Sequence, residues 1–465
     1  MRSSHHRLWH HLTPNSGHTN GLLGSTAMPR KSMHIAWIGF APAEENGGVP
    51  GIATDLLHGL AKLGHRIDCF FPGREHRVPP QITDVENLTL VWGTGVWRPG
   101  RWYSRTKLTS LVSAQIVHGL ASLRLRKEVA RRHRREPYDF IYQFSNVENL
   151  AVPRRLRGKV PLVMQPGTSS AGELKFLIKE RKLAFRCQPA YIFAIAVIVL
   201  SLRKRVQRRK IRGARLTICI SNVFREHLID DYGLARETTV VVPNPVRIDR
   251  FEPTERPIAT PPTVIVLGRI AARKGIDDVV AVARLLSELQ VDVRFRIVGG
   301  PSLWSNYTAL LEGLPPERSE YVGRVPGSEV PAELARSDVL LQASKYEPFA
   351  LTVGEALAAG VPVVATSEVG AIEHVNRSVG AETEPGDIEG MAASVVAMLD
   401  RLRADPVEVR ALARAEAERL FAPEVVCLEI SAALEQIVDG SSGRGPAAPA
   451  GPSDRDVYGL TRSSG

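Results

Sequence analysis

Glu347 and Glu355 bracket the segment Glu347-Pro-Phe-Ala-Leu-Thr-Val-Gly-Glu355. The apolar run Asp338-Val-Leu-Leu-Gln-Ala before it predicts a strand, the small residues Ala356-Leu-Ala-Ala-Gly360 after it predict a helix, and Val361-Pro-Val-Val-Ala-Thr366 predicts the next strand. A carboxylate at a strand's C-terminal end and another in the first turn of the following helix would face one crevice, where open α/β sheets bind their ligands. The unpaired backbone N–H groups of such a helix start favour an anionic or hydroxyl-rich ligand. A structural reading uses the same residues. Thr352-Val-Gly-Glu355 has the form of a capping box, which would spend Glu355 on closing the helix. Glu347, followed by a proline, would then be an ordinary loop acid.

A second charged group follows the predicted strand Thr263-Val-Ile-Val-Leu-Gly268: Arg269-Ile-Ala-Ala-Arg273-Lys274-Gly275. Cations at a helix N-terminus oppose the helix dipole. Their placement makes sense if an anion lies between them, and Arg as a planar fork and Lys as a point charge both suit phosphate. The alternative is plain decoration of a helix start. Gly47-Gly48, after the first strand, allows close backbone approach and N–H donation, or is simply a turn. No G-x-G-x-x-G fingerprint occurs, which argues against a dinucleotide enzyme.

In this order, the segments resemble the G-R-x(n)-K-G and E-x7-E motifs of the family-four glycosyltransferases, a retaining class with the GT-B fold. Further matches are Ile220-Ser-Asn222, Val242-Pro-Asn244-Pro-Val-Arg-Ile-Asp249 with Phe251, Val298-Gly-Gly300-Pro301 and Tyr321-Val-Gly323-Arg324. The resemblance implies an α/β protein of two Rossmann-like doubly wound domains facing across a cleft. It implies transfer of a sugar from a nucleotide-diphosphate donor to an acceptor hydroxyl, with retention, without a metal and with no cofactor, the nucleotide sugar being a substrate. Arg269 and Lys274 would hold the diphosphate. Glu347 would orient the donor sugar. Phe349, Ala350, Leu351 and Thr352 would present the motif's backbone to the donor, and Glu355 would fix the ribose. Gly47, Gly48, Gly300 and Arg324 would complete the donor site, and Glu373 would cap a loop beside it. Three positions depart from the pattern: Ala350 stands for a glycine, Pro245 follows Asn244 where a glycine is usual, and Gln165 occupies the place of a histidine near the transferring sugar.

Both halves of the chain alternate strands and helices, as two doubly wound sheets require. In the first, strands are predicted at His34–Phe40, Arg66–Phe71, Leu88–Trp92, Phe140–Phe144, Pro161–Met164, Leu216–Ile220 and Thr239–Val242, with a helix at Ile52–Leu63. In the second, Thr263–Gly268, Val293–Val298, Glu320–Gly323, Val339–Gln342 and Val361–Thr366 read as strands, with helices at Ile276–Leu289 and near Pro331–Ala335. The expected division is a disordered leader over 1–32, with a true start at Met28 or Met33, an acceptor domain over 33–255 and a nucleotide-sugar domain over 256–420. A helix over 421–437 would cross back to the first domain, and a disordered tail would occupy 438–465. Asn244–Pro262, with five prolines, reads as the linker.

The 465 residues carry 60 Lys and Arg against 49 Asp and Glu, a net charge of +11. The excess is local, concentrated in Arg124–Arg135 and Arg203–Arg215. With no nucleic-acid module beside it, this charge points away from nucleic acid. The apolar run Pro189–Leu202 is shorter than the roughly 18 to 20 residues of a spanning helix. It reads either as a core helix beside a solvated basic face or as a peripheral membrane contact over 189–212, joined by Trp97, Arg98, Arg101, Trp102 and Tyr103. Four scattered cysteines and no apolar leader fit a cytoplasmic chain, at the membrane face if that contact forms. No D-x-D metal motif stands in a loop between elements. The expected partners are the nucleotide-sugar donor and a sugar, lipid-linked or small-molecule acceptor. Rival functions are a nucleotide-sugar epimerase or sugar phosphorylase on the same fold, or a non-catalytic sugar-nucleotide-binding partner.

Overall fold

The computed structural model describes residues 31–439 except 44–47, 94–122 in whole or part, 146–151, 157, 188, 254–255 and 302–305. Gly47, the Trp97–Tyr103 patch, and nearly all of the expected leader and tail lie outside the described residues, while Val438 and Asp439 extend the last helix.

Short, mostly apolar runs, buried at the centre of each sheet and half-exposed at edges such as Thr239–Val241, Ser319–Gly323 and Gly380–Thr383, build two parallel sheets, because central strands covered on both faces need no polar side. The first sheet contains β1 (His34–Ile38), β2 (Arg66–Gly73), β3 (Leu88–Gly95), β4 (Phe140–Ser145), β5 (Leu162–Pro166), β6 (Leu216–Cys219) and β7 (Thr239–Val241). The second contains β8 (Thr263–Leu267), β9 (Arg294–Val298), β10 (Ser319–Gly323), β11 (Val339–Gln342), β12 (Val363–Thr366) and β13 (Gly380–Thr383). The strand orders are β3-β2-β1-β4-β5-β6-β7 and β10-β9-β8-β11-β12-β13. All pairings are parallel. In each sheet the order reverses beside its first strand, at β1/β4 and at β8/β11, which creates the crevice where such sheets take ligands.

β13 has no counterpart in the sequence reading. Gly-Ala-Glu-Thr lacks an apolar signature because it is a short, half-exposed edge strand. The helix expected at Ala356–Gly360 runs instead over Leu351–Ala358, and the strand after it starts at Val363. Thr, Val and Gly are poor helix formers, but Val353, Gly354 and Ala356 are buried, and packing overrides propensity.

The helix Pro423–Asp439 leaves the second sheet and packs on the helix Val49–Lys62 of the first. Val426, Ile430 and Leu434 share an apolar cluster with Leu56, Leu57 and Leu60. Gly59 makes the approach feasible, since a side-chain carbon there would lie 2.4 Å from Cys427 Sγ. His65 and Ser431 are linked by a buried 2.8 Å hydrogen bond. On the other side of the cleft, Ser221 Oγ donates to the Pro348 carbonyl at 2.8 Å. Glu373 accepts from the amides of Asn222 (3.0 Å) and Val223 (3.1 Å). Glu373 therefore caps the helix Asn222–Tyr232 of the opposite half, sharing its first turn with the N-cap Ser221. Arg247, in the linker, forms an ion pair with Asp55 of the helix Val49–Lys62 at 2.7 Å.

Replacing Glu373 by Ala removes an acceptor from two helix-start donors and one tie between the halves. The expected cost is about 1–2 kcal/mol of unfolding free energy, read as a lower urea midpoint. An unchanged midpoint would show that the cap is not energetically coupled.

Candidate functional site

β8 and β11 are neighbours, and their C-terminal ends deliver the charged groups. After β8 the chain makes a single 3-10 turn over Ala272–Lys274 and stops at Gly275, whose φ of 64° is left-handed. A side-chain carbon at Gly275 would lie 1.7 Å from the Ala343 carbonyl oxygen. Only glycine lets the two loops meet this closely. The backbone then ties them together: the amides of Lys345 and Tyr346 both donate to the Arg273 carbonyl, at 2.9 and 3.4 Å.

The result is a three-residue charge cluster. Glu347 Oε2 lies 2.6 Å from Arg273 Nη1 and 2.6 Å from Lys274 Nζ, with side chains only 12–19% exposed. Burial disfavours the Glu347 carboxylate, but the two cations outweigh that and hold its pKa at about 2. Burial likewise lowers the Lys274 pKa, against the pull of Glu347. Glu347 Oε1 accepts no hydrogen bond among the described residues. Arg269 is exposed and close enough to feel both Arg273 and Glu347, yet among the described residues it forms no ion pair.

The loop then rises into the helix Leu351–Ala358. Its N-cap is Ala350, at φ 74°, and no side chain caps it. This overturns the capping-box reading: Thr352 lies inside the helix and its hydroxyl donates to Gln342 Oε1 at 3.2 Å. The amides of Ala350, Leu351 and Thr352 find no acceptor among the described residues. Ala350 is the residue that replaces a glycine, and its left-handed backbone carries about 1–2 kcal/mol of strain. Phe349 is buried edge-on against Phe421, 5.6 Å between ring centres.

Glu355, one turn further, lines an interdomain cleft of about 840 Å3 with Leu351, Arg324, Gly48, Arg247 and Arg250. Burial pushes its carboxyl up to about 6, with Arg250 as the opposing attraction. Gly48 begins the helix Val49–Lys62 at φ 70°, a left-handed position. Gly300 sits behind Arg324, where a side-chain carbon would come within 3.2 Å of Arg324 Cβ, and its carbonyl accepts from the Ile270 amide at 3.0 Å. The structure thus gathers Lys274 and Glu347 in one cluster with Arg269 beside it, and Glu355, Arg324 and Gly48 in the adjoining cleft. The segment Phe349–Leu351 connects the two groups.

Two sequence expectations change. Gln165 does not open into the cleft. It is buried, accepts from the Tyr142 hydroxyl at 2.6 Å and reaches Asn244 Oδ1 at 3.5 Å, so its amide is spent on the domain core. Arg273, read as a possible helix-start decoration, is an ion-pair partner of Glu347. Its neighbour Lys274 was the available signal. Arg247 and Arg250 were not named as site residues, although the matched segment Val242–Asp249 with Phe251 spans them; their place in the cleft depends on how the linker packs.

A family model described as "Glycosyltransferase Family 4" matches residues 46–250, and one described as "Glycosyl transferases group 1" matches residues 248–407. Among curated relatives, a glycogen synthase of Mycobacterium tuberculosis is 28% identical over 217 residues, covering 45% of this chain and 50% of that protein. A 2-deoxystreptamine glucosyltransferase of Streptomyces kanamyceticus is 30% identical over 228 residues, covering 46% and 58%. The chain thus spans about half the length of the curated relatives it matches. Among solved structures, a sucrose-phosphate synthase from Thermosynechococcus elongatus superposes with a TM-score of 0.62 at 20% identity, over 88% of this chain and 100% of that one. Anabaena HepE, solved with UDP, gives 0.58 at 18% identity, over 87% and 100%. These two likenesses establish the GT-B fold.

Because the native pKa of Glu355 lies above its ordinary 4.5, the folded protein binds more protons than the unfolded chain between pH 4.5 and about 6. Stability falls as pH rises through that window, and the penalty is complete above it. Glu355→Gln is therefore expected to raise unfolding free energy at pH 7 by on the order of 1–2 kcal/mol, with no gain below pH 4.5. Chemical denaturation across pH checks this, and a Gln variant less stable than wild type at pH 7 contradicts it.

Proposed function

The chain belongs to the family-four glycosyltransferases, and we propose that it moves a sugar from a nucleotide-diphosphate donor to an acceptor hydroxyl with retention of configuration. The observation that carries this reading is the contact of Glu347 with Arg273 and Lys274, beside the open amides of Ala350–Thr352.

The donor's diphosphate lies against Lys274 and Arg269, and the helix amides add their partial positive charge. As the bond from the anomeric carbon to phosphate oxygen lengthens, negative charge grows on the leaving group, and these preorganised cations stabilise it. They supply charge that a divalent ion provides in other sites, so the reaction is metal-independent and needs no cofactor. Glu347 keeps Oε2 on its cations and offers Oε1 to a sugar hydroxyl, which fixes the ring. Glu355 accepts from the ribose, and Gly48, Gly300 and Arg324 border the nucleotide. The acceptor oxygen forms its bond on the face from which the diphosphate departs, and its proton passes to the departing phosphate oxygen. No enzyme base is required, which agrees with Gln165 being buried and committed. The acceptor is a sugar, a lipid-linked sugar or a small molecule, met in the cytoplasm or at the cytoplasmic membrane face.

A thermal-shift panel of UDP-, GDP-, ADP- and TDP-sugars identifies the donor. Saturation a hundredfold above Kd adds about 2.7 kcal/mol to the native state, and a panel in which none raises Tm contradicts the reading. Arg269→Ala should leave stability within about 0.5 kcal/mol, since the residue is exposed and unpaired among the described residues, and lower kcat by roughly 100- to 1000-fold. Full turnover in that variant would remove Arg269 from the mechanism. A chelator should leave wild-type turnover unchanged.

A further inference from the structure

The apolar run after Pro189 forms the helix Ala190–Ile211. It is not a core helix: of residues 190–202 only Ile192 is buried. Tyr191, Ile198, Leu202 and Val206 are 61%, 59%, 55% and 40% exposed. Separations of seven, four and four positions put these side chains on one face. The neighbouring helices Ser170–Lys179 and Arg181–Cys187 add exposed Ile178 and Phe185. Among the described residues, no helix is long and apolar enough to cross a membrane.

The apolar stripe runs into a basic pocket. Val206 and Arg209 belong to the helix face and also line a cavity of about 960 Å3, walled by the segment before β5 and the turn before β6. Lys159, Arg209, Lys210, Arg212 and Arg215 line it, and among the described residues no carboxylate does. The helix itself has six Lys and Arg from Arg203 to Lys210 and no acid. The cavity opens at the strand starts, where Leu162 and Arg215 meet, whereas the donor cleft lies at the strand ends. It is therefore a separate site and not an extension of the donor pocket.

The opposite end of the helix lies near the cleft. Gln207 accepts from the Ser170 amide, just past the C-terminal end of β5, so the earlier turns project beyond the strand ends. There Cys187 lies within electrostatic reach of Asp277 on the second sheet's first helix.

We propose that this face docks on an anionic membrane, with Tyr191, Ile198, Leu202 and Val206 in the headgroup layer and a lipid phosphate in the pocket of Lys159, Arg209 and Arg215. Aromatic and aliphatic side chains beside clustered cations fit that interface, where each cation adds about 1 kcal/mol. A lipid held along the helix would be presented toward the cleft. The inference deepens the reading that the acceptor is met at a membrane, and it rests on that reading.

Vesicle cosedimentation of the full chain tests it, comparing phosphatidylcholine alone with phosphatidylcholine containing phosphatidylglycerol. Wild type should pellet with the anionic vesicles only. Arg209→Ala with Arg215→Ala should weaken binding by roughly fivefold per charge, and Ile198→Asp with Leu202→Asp should abolish it. All four positions are exposed, so both variants should keep the wild-type Tm and the thermal shift with nucleotide sugar. That retained shift separates failure of docking from failure of the glycosyltransferase reading. Equal binding to neutral vesicles, no binding to either, or tight binding of soluble glycerol 3-phosphate with vesicles ignored would each overturn the proposal.

Discussion

One buried carboxylate organises the site. Glu347 is taken out of water, which by itself would protonate it, and two cations on one oxygen keep it charged. Such a cluster persists only when its geometry is enforced, because desolvation of each ion costs several kcal/mol. The enforcement comes from the backbone. Gly275 lets the β8 loop lie on the Ala343 carbonyl, and the Arg273 carbonyl accepts from the β11 loop. The cations are consequently placed before any ligand arrives. In the proposed reaction a leaving diphosphate would meet charge that needs no reorganisation, which is the condition under which electrostatic stabilisation is most effective.

The halves of the protein are coupled through the same loop. Pro348, next to Glu347, accepts from Ser221, and Glu373 caps a helix of the first half. The last helix returns to pack on the helix that Gly48 opens. The cleft is thus braced on both sides, by polar contacts near the charge cluster and by an apolar cluster near the first glycine.

Much of this was legible in the sequence, for identifiable reasons. Most of the strands are buried apolar runs, and the half-exposed edges β7 and β10 still carry Val or Tyr, so twelve of the thirteen could be read, whereas β13 is an edge of Gly, Ala, Glu and Thr with no strong strand former. The charged motifs were legible because their spacing is fixed by the strand–loop–helix unit that carries them. What was not legible depended on contacts between distant segments. The pairing of Arg273 with Glu347 crosses 74 positions. The fate of Gln165 was decided by Tyr142 and Asn244, on other strands and loops. The start of the helix at Leu351 was set by burial against local propensity, and the strained φ of Ala350 appears only once the loop is closed. The run after Pro189 has core-like composition, and only its surroundings show that it lies at the surface.

The central claim is that Lys274, held by Glu347, is a diphosphate ligand. Isothermal titration of the wild-type chain and its Lys274→Met variant with UDP and GDP tests it most directly, with the parent nucleosides as controls. The account predicts that nucleoside diphosphate affinity falls by roughly tenfold or more in the variant while the nucleosides are unaffected. A variant that remains folded and binds the diphosphates as tightly as wild type would contradict it.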